Sequence, residues 1–202
     1  MSKKALILII FFCFLVVGFF VALTYVIPEF AHPKMPPIST VQPFAFIDQD
    51  GKTITEKDIQ GKVVAVNYFF TSCKSVCPRM NNNLKPVYEM FKNNPGFLIL
   101  SHTCDPEVDS TARLKRYADS MKVDTKKWVF LTGRKDSLYL AARHSYRIDD
   151  PKNYVSNIND DFLHTQFIAL VNKKGEVVKI YDGIKPSEMK EMEGDINKLL
   201  KE

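Results

Sequence analysis

Cys73 and Cys77 enclose Lys74, Ser75 and Val76 and are followed at once by Pro78. An apolar run over 63–70 precedes the pair and a helix-like run over 81–91 follows it, so the two thiols stand at a strand-to-helix junction. A thiol at a helix N-terminus faces the positive end of the macrodipole, which favours the thiolate and lowers its pKa below the usual ~8.5. Lys74 and Arg79 add positive charge nearby. A thiolate is both the nucleophile of disulfide exchange and a ligand for soft metals. Redox pairs at such junctions usually enclose two residues. Three enclosed residues let both sulfurs face a third partner and still permit a disulfide.

Two sulfurs do not complete a metal site, whereas Cu(I) accepts two thiolates with an imidazole. Of the four histidines, His32 precedes the domain and His144 falls late in a helix, between Arg143 and Tyr146. His164 stands just before an apolar strand and, on its own, reads more readily as a structural histidine than as a ligand; His102, at the end of the second buried strand, is the reserve ligand. Cys104 follows His102 and reads either as a spare ligand or resolving thiol near the site, or as a small half-buried residue. Asp109, Ser110 and Thr111 offer caps for the helix that follows, and Asp105 with Asp109 reads as such a cap in preference to a metal ligand.

The elements that must position these residues can be taken in order. Residues 44–54 alternate around Asp50 and Gly51, the pattern of a hairpin. Residues 62–70 form a strand too apolar to have a solvated face. Pro78 suits the first turn of the next helix, and Pro86 predicts a kink or break within it. A short strand over 97–100, a helix to about Met121, a strand over 128–131 and a helix over 137–146 follow. Residues 147–162 are polar and irregular, a flap. Strands over 165–171 and 176–181 flank the turn at 172–175, and a helix over 186–200 closes the chain. The order β-α-β-α-β-α-β-β-α predicts an α/β fold: a thioredoxin-like mixed sheet with helices on both faces and an N-terminal β-hairpin extension.

With 202 residues, 46% hydrophobic and 25% charged, the composition is that of one globular domain plus an appendage. The net charge of +5 is spread over scattered lysines, which argues against a nucleic-acid partner. Residues 5–27 are uncharged and apolar; at ~1.5 Å per residue they make a helix of about 35 Å, enough to cross a membrane. Lys3 and Lys4 before the run, with no cation after it until Lys34, keep the N-terminus cytoplasmic. A cleaved signal peptide is the rival reading, but the run is long and its exit lacks an Ala-x-Ala pattern. Cys13 within the run is an apolar filler.

The expected organisation is a membrane anchor at 1–27, a Pro-rich linker at 28–40 and the folded domain at 41–202. In the linker, His32 and Met35 are residue types that can touch copper. The start of the chain lacks an Arg- and Ser-rich transit peptide, so the expected location is a bacterial inner membrane, single-pass, with the domain facing the periplasm. There disulfides persist, and the odd set Cys73, Cys77 and Cys104 leaves at least one thiol free or makes the pair functional.

From about Phe44 to Leu200 the chain resembles the Sco/SenC family of membrane-tethered copper chaperones for cytochrome c oxidase assembly. The resemblance is carried by the CxxxCP motif of Cys73, Cys77 and Pro78, by Asp105-Pro106-Glu107-Val108-Asp109, and by His164-Thr165 opening a strand. It implies one copper ion held by Cys73, Cys77 and His164. The implied partner is subunit II of cytochrome c oxidase or another copper-accepting protein. The implied task is to deliver copper to its dinuclear copper site or to prepare its thiols. The alternatives are a membrane-anchored thiol–disulfide oxidoreductase using Cys73 and Cys77 as its redox pair, served by a thiol-reducing partner, and a redox or copper sensor.

Overall fold

The run Val63–Phe69 forms a central strand, β4, with every residue buried, as a strand covered on both faces requires. On one side it pairs in parallel with β5 (Phe97–Thr103), register Phe69 opposite Thr103; on the other it pairs antiparallel with β7 (Phe167–Val171), register Asn67 opposite Ile168. The C-terminal ends of β4 and β5 and the start of β7 therefore meet at one edge of the sheet. Everything chemical is delivered there.

The computed structural model describes residues 2–26, 35–153, 157–158 and 161–202. It divides into two compact units, Met1–Pro36 and Pro37–Glu202. In the first, α1 (Lys3–Val26) is long and apolar enough to cross a membrane and buries none of its residues. Cys13 is exposed on it. Ile27 and His32 lie outside the described residues.

In the second unit, β1 (Ser39–Thr40), β2 (Ala45–Asp48), β3 (Thr53–Thr55), β6 (Trp128–Thr132) and β8 (Glu176–Asp182) complete an eight-stranded mixed sheet, in the order β1-β8-β7-β4-β5-β6-β2-β3. β2 and β3 form the expected hairpin, paired to β6. Ser39 and Thr40, expected as the end of the linker, instead pair with Val177 and Glu176 as an edge strand. Two residues carry no readable periodicity, and their pairing depends on β8 being in place. A single turn, α2 (Glu56–Ile59), precedes β4.

Helices cover both faces of the sheet. On one lie α3 (Val76–Phe91), α4 (Thr111–Met121) and α6 (Pro186–Lys201), with Tyr88 against Trp128, Phe91 against Phe97 and Tyr117 against Phe130. On the other lies α5 (Lys135–Leu140), continued by a π-helical turn over Ala141–Ser145; Leu138, Tyr139 and Ala142 pack with Val64, Val66, Tyr68 and Leu100. This is the expected thioredoxin-like α/β arrangement.

Pro86 does not break α3, which runs through it. The helix buries Met80, Leu84, Val87, Tyr88 and Phe91 along one stripe. At roughly 1.5–3 kcal/mol per large side chain, that burial exceeds the ~3 kcal/mol cost of an interior proline.

Candidate metal centre

Cys77 lies in the first turn of α3, and Cys73 in the turn between β4 and that helix. The backbone N–H of Cys73 donates to the Phe70 carbonyl at 3.2 Å, and the N–H of Cys77 donates to the Cys73 sulfur at 3.4 Å. The sulfurs are not joined. Burial opposes ionisation of Cys73, yet the Cys77 thiol and the N–H groups of Ser75, Cys77 and Val76 outweigh it and hold the thiol below its ordinary range. Burial, and then the Cys73 contact, push the Cys77 thiol up to about 12. The pair is thus asymmetric: the outer thiol is eased toward its charged form and the inner one is held protonated.

The turn carrying Cys73 is fixed by Asp109, whose side chain is fully buried. Its Oδ2 accepts from the Thr71 N–H at 3.0 Å and from the Thr103 hydroxyl at 2.7 Å, and its Oδ1 accepts from the Thr71 hydroxyl. Arg113 adds its Nε–H to the Thr71 oxygen at 2.6 Å. The expected capping role of Asp109 is therefore corrected. Ser110 caps α4, accepting from the Arg113 N–H, because the Asp109 carboxylate is turned inward to the loop.

A second polar chain seats α3 on the sheet. The Trp128 N–H donates to Ser101 Oγ, Ser101 to Asn67 Oδ1, Asn67 to Asn81 Oδ1, and Asn81 to the Tyr117 hydroxyl, at 2.6–3.1 Å. Buried polar groups so fully paired specify one arrangement of the elements they join.

His164 is exposed, with its ring against Phe162 and Phe70 at 4.6 and 5.9 Å between centroids. Its neighbours are tied down. The Leu163 N–H donates to the Tyr139 hydroxyl at 3.2 Å, that hydroxyl donates to the Cys104 carbonyl at 2.8 Å, and Thr165 donates to the Ile148 carbonyl at 2.8 Å. Behind them, the Arg143 guanidinium is 2% exposed and grips Asp161 through two nitrogens, at 2.7 and 3.1 Å, and Asp149 at 2.8 Å. Nothing in the sequence patterning singled out Tyr139 or Arg143. The available signal was a lone arginine in an otherwise apolar helical stretch.

Cys73, Cys77, Cys104 and His164 line one cavity of about 420 Å³ at the sheet edge. Among the described residues, no three His, Cys, Asp or Glu side chains stand at metal-binding spacing. The donor types suit a soft metal, and the imidazole is on the exposed arm of the set.

His102, the reserve ligand, is not at the cavity. It lies inside β5 with no exposure, stacked on Tyr68 at 4.9 Å and flanked by Phe46 and Tyr146. Strand alternation turns it into the core. Among the described residues, its two ring nitrogens and the Tyr146 hydroxyl have no hydrogen-bond partner, and burial lowers its pKa to about 3. His144 is exposed on the π-helical turn and lines a different depression.

Residues 33–201 match the SCO1/SenC family. The SCO1 protein homolog of Bacillus subtilis (strain 168) is 29% identical over 160 residues, 77% of this chain and 80% of that one. Among solved structures, BsSco has a TM-score of 0.69 at 26% identity, covering 83% of this chain and 98% of that one; it is described as a member of the Sco family of cytochrome c oxidase assembly proteins with a disulfide switch. ScoI of Bradyrhizobium japonicum, solved with copper bound, has a TM-score of 0.62 at 26% identity, covering 80% of this chain and 100% of that one.

Proposed function

The chain belongs to the SCO1/SenC family, and on that premise we propose that it is a membrane-tethered metallochaperone that carries one copper ion on Cys73, Cys77 and His164. The recipient is the dinuclear copper site of cytochrome c oxidase subunit II or another copper-accepting protein. The observation that carries the reading is the convergence of both motif thiols and His164 on one cavity. The copper-bound relative supports the choice of metal. Helix α1 is the anchor, crossing a bacterial inner membrane once and leaving the domain on the periplasmic side; its length and apolarity support this.

The chain's own residues divide the work. Cys73 is the thiol more readily deprotonated, because hydrogen bonds favour its charged form. Cys77 gives up its proton when the metal replaces it, since ligands bind deprotonated. Asp109 and Thr71 hold the thiol turn, and the exposed His164 imidazole would supply the third donor from the other side of the same cavity.

Copper titration of the full chain in detergent, wild type beside His164→Ala, tests the reading. We expect the variant to lose affinity for both Cu(I) and Cu(II) by more than the roughly 10–100-fold typical of losing an outer-shell partner, while Cys73 and Cys77 still oxidise to a disulfide. Unchanged copper affinity in the variant refutes the assignment.

The asymmetry of the thiols favours one second reading, a thiol–disulfide oxidoreductase. An outer thiol eased toward ionisation and backed by a protonated partner is the arrangement of an attacking and a resolving cysteine. The same site can do both.

A further inference from the structure

Three thiols, not two, share the cavity. Cys104 is 2% exposed and lines the same space as Cys73 and Cys77. Its N–H donates to the Phe69 carbonyl at 2.7 Å, which places it beside the last residue of β4, directly before the turn that carries Cys73. Of the two motif cysteines, Cys77 is the inward one at 5% exposure, and Cys73 is the half-buried outer one. Cys73 is therefore the outer thiol, with Cys77 and Cys104 both buried behind it.

We propose that Cys104 is an internal resolving thiol, so that a disulfide formed between Cys73 and Cys77 passes inward to join Cys77 and Cys104. A small-molecule or protein disulfide supplies the oxidation. The Cys73 thiolate attacks one of its sulfurs, forming a mixed disulfide and expelling one thiolate. Cys77 then attacks the Cys73 sulfur, forming the Cys73–Cys77 bond, while its proton passes to the second thiolate as that is expelled. Finally Cys104, whose thiol is pushed up by burial, attacks Cys77 as its proton passes to the departing Cys73 sulfur: the Cys77–Cys104 bond forms, the Cys73–Cys77 bond breaks, and Cys73 leaves as a thiol. This last step is an isomerisation and needs no further oxidant. It stores the oxidising equivalent in the protein interior and returns the outer thiol to service. The proposal does not rest on the copper reading.

The sequence makes the test unambiguous, because trypsin cuts after Lys62, Lys74, Arg79, Lys92 and Arg113 and so puts each cysteine on its own peptide: 63–74, 75–79 and 93–113. The full chain in detergent is reduced, exposed to graded oxidised glutathione, quenched with acid and N-ethylmaleimide, and mapped by mass spectrometry on the monomer band. We expect a 63–74/75–79 cross-link first, then a 75–79/93–113 cross-link at its expense. In Cys73→Ser, which lacks the entry thiol, the 75–79/93–113 cross-link should form far more slowly than in wild type, and in Cys104→Val it should be absent. Wild type that completes the first cross-link while peptide 93–113 stays fully alkylatable overturns the proposal. So does a 75–79/93–113 link confined to disulfide-bonded dimers. Because the wild-type map decides by itself, a variant that fails to fold leaves the answer intact.

Discussion

Asp109 offers the sharpest check on how the thiol turn is held. Its carboxylate accepts three hydrogen bonds, two from Thr71 and one from Thr103, with no exposure to water. A bond to a charged group contributes roughly 1.5–3 kcal/mol, and removing one member of a buried set leaves the others unsatisfied at about 1–3 kcal/mol each. The terms do not add, and deleting the carboxylate also removes its own burial cost. Asp109→Ala should therefore cost ~3–5 kcal/mol, in line with breaking buried charged contacts elsewhere. Against a typical stability of roughly 5–15 kcal/mol, the protein would still fold. Asp109→Asn keeps an oxygen for the Thr71 N–H and the Thr103 hydroxyl and should cost about 1–2 kcal/mol. Urea unfolding of both variants, with a double-mutant cycle against Thr71→Val, gives the numbers. The cycle should show a coupling of at least ~1 kcal/mol, since the two residues share a network. A loss below ~1 kcal/mol for Asp109→Ala, or a cycle that is simply additive, would falsify the claim that this carboxylate fixes the turn.

His102 makes the fold acid-sensitive. Its pKa is about 3 in the fold against roughly 6.5 unfolded, so its stabilising contribution is complete above pH ~6.5 and falls by about 1.4 kcal/mol per pH unit down to the folded value. His102→Phe should flatten the loss between pH 7 and 4 by ~3 kcal/mol in urea unfolding; an unchanged slope contradicts the burial argument. The thiol asymmetry predicts an order of alkylation. With iodoacetamide at neutral pH, Cys73 should be labelled well before Cys77 and Cys104, and equal rates on the three tryptic peptides would dismiss it.

The junction of β4 and α3 was legible because its cues are local: a fully apolar run, then a thiol motif closed by Pro78. The α/β class with a mixed sheet followed from the alternation of helices and strands, whereas the order of strands within the sheet did not. His164 was placed by resemblance, and the register of β7 against β4 brings it to the cavity. What could not be read depends on partners distant in the chain. Asp109 looked like a cap because its position before Thr111 suits one, and only the fold shows Thr71 competing for it. His102 looked available because the strand around it was read as ending too early; three more residues of β5 turn it inward. Pro86 obeyed burial instead of local propensity, and the Arg143 clasp joins residues whose pairing no periodicity encodes.

That clasp has a consequence for how such a protein can diverge. One guanidinium holds Asp149 and Asp161 together, so the segment between them is closed at its base, as by a staple. The entropy of closing a loop grows only with the logarithm of its length, about 0.6 kcal/mol per doubling. Length and composition inside the staple can thus drift at little cost to stability, while Leu163 and His164 just outside it keep their anchorage. A lineage can therefore change that segment without disturbing the residues on which Leu163 is anchored.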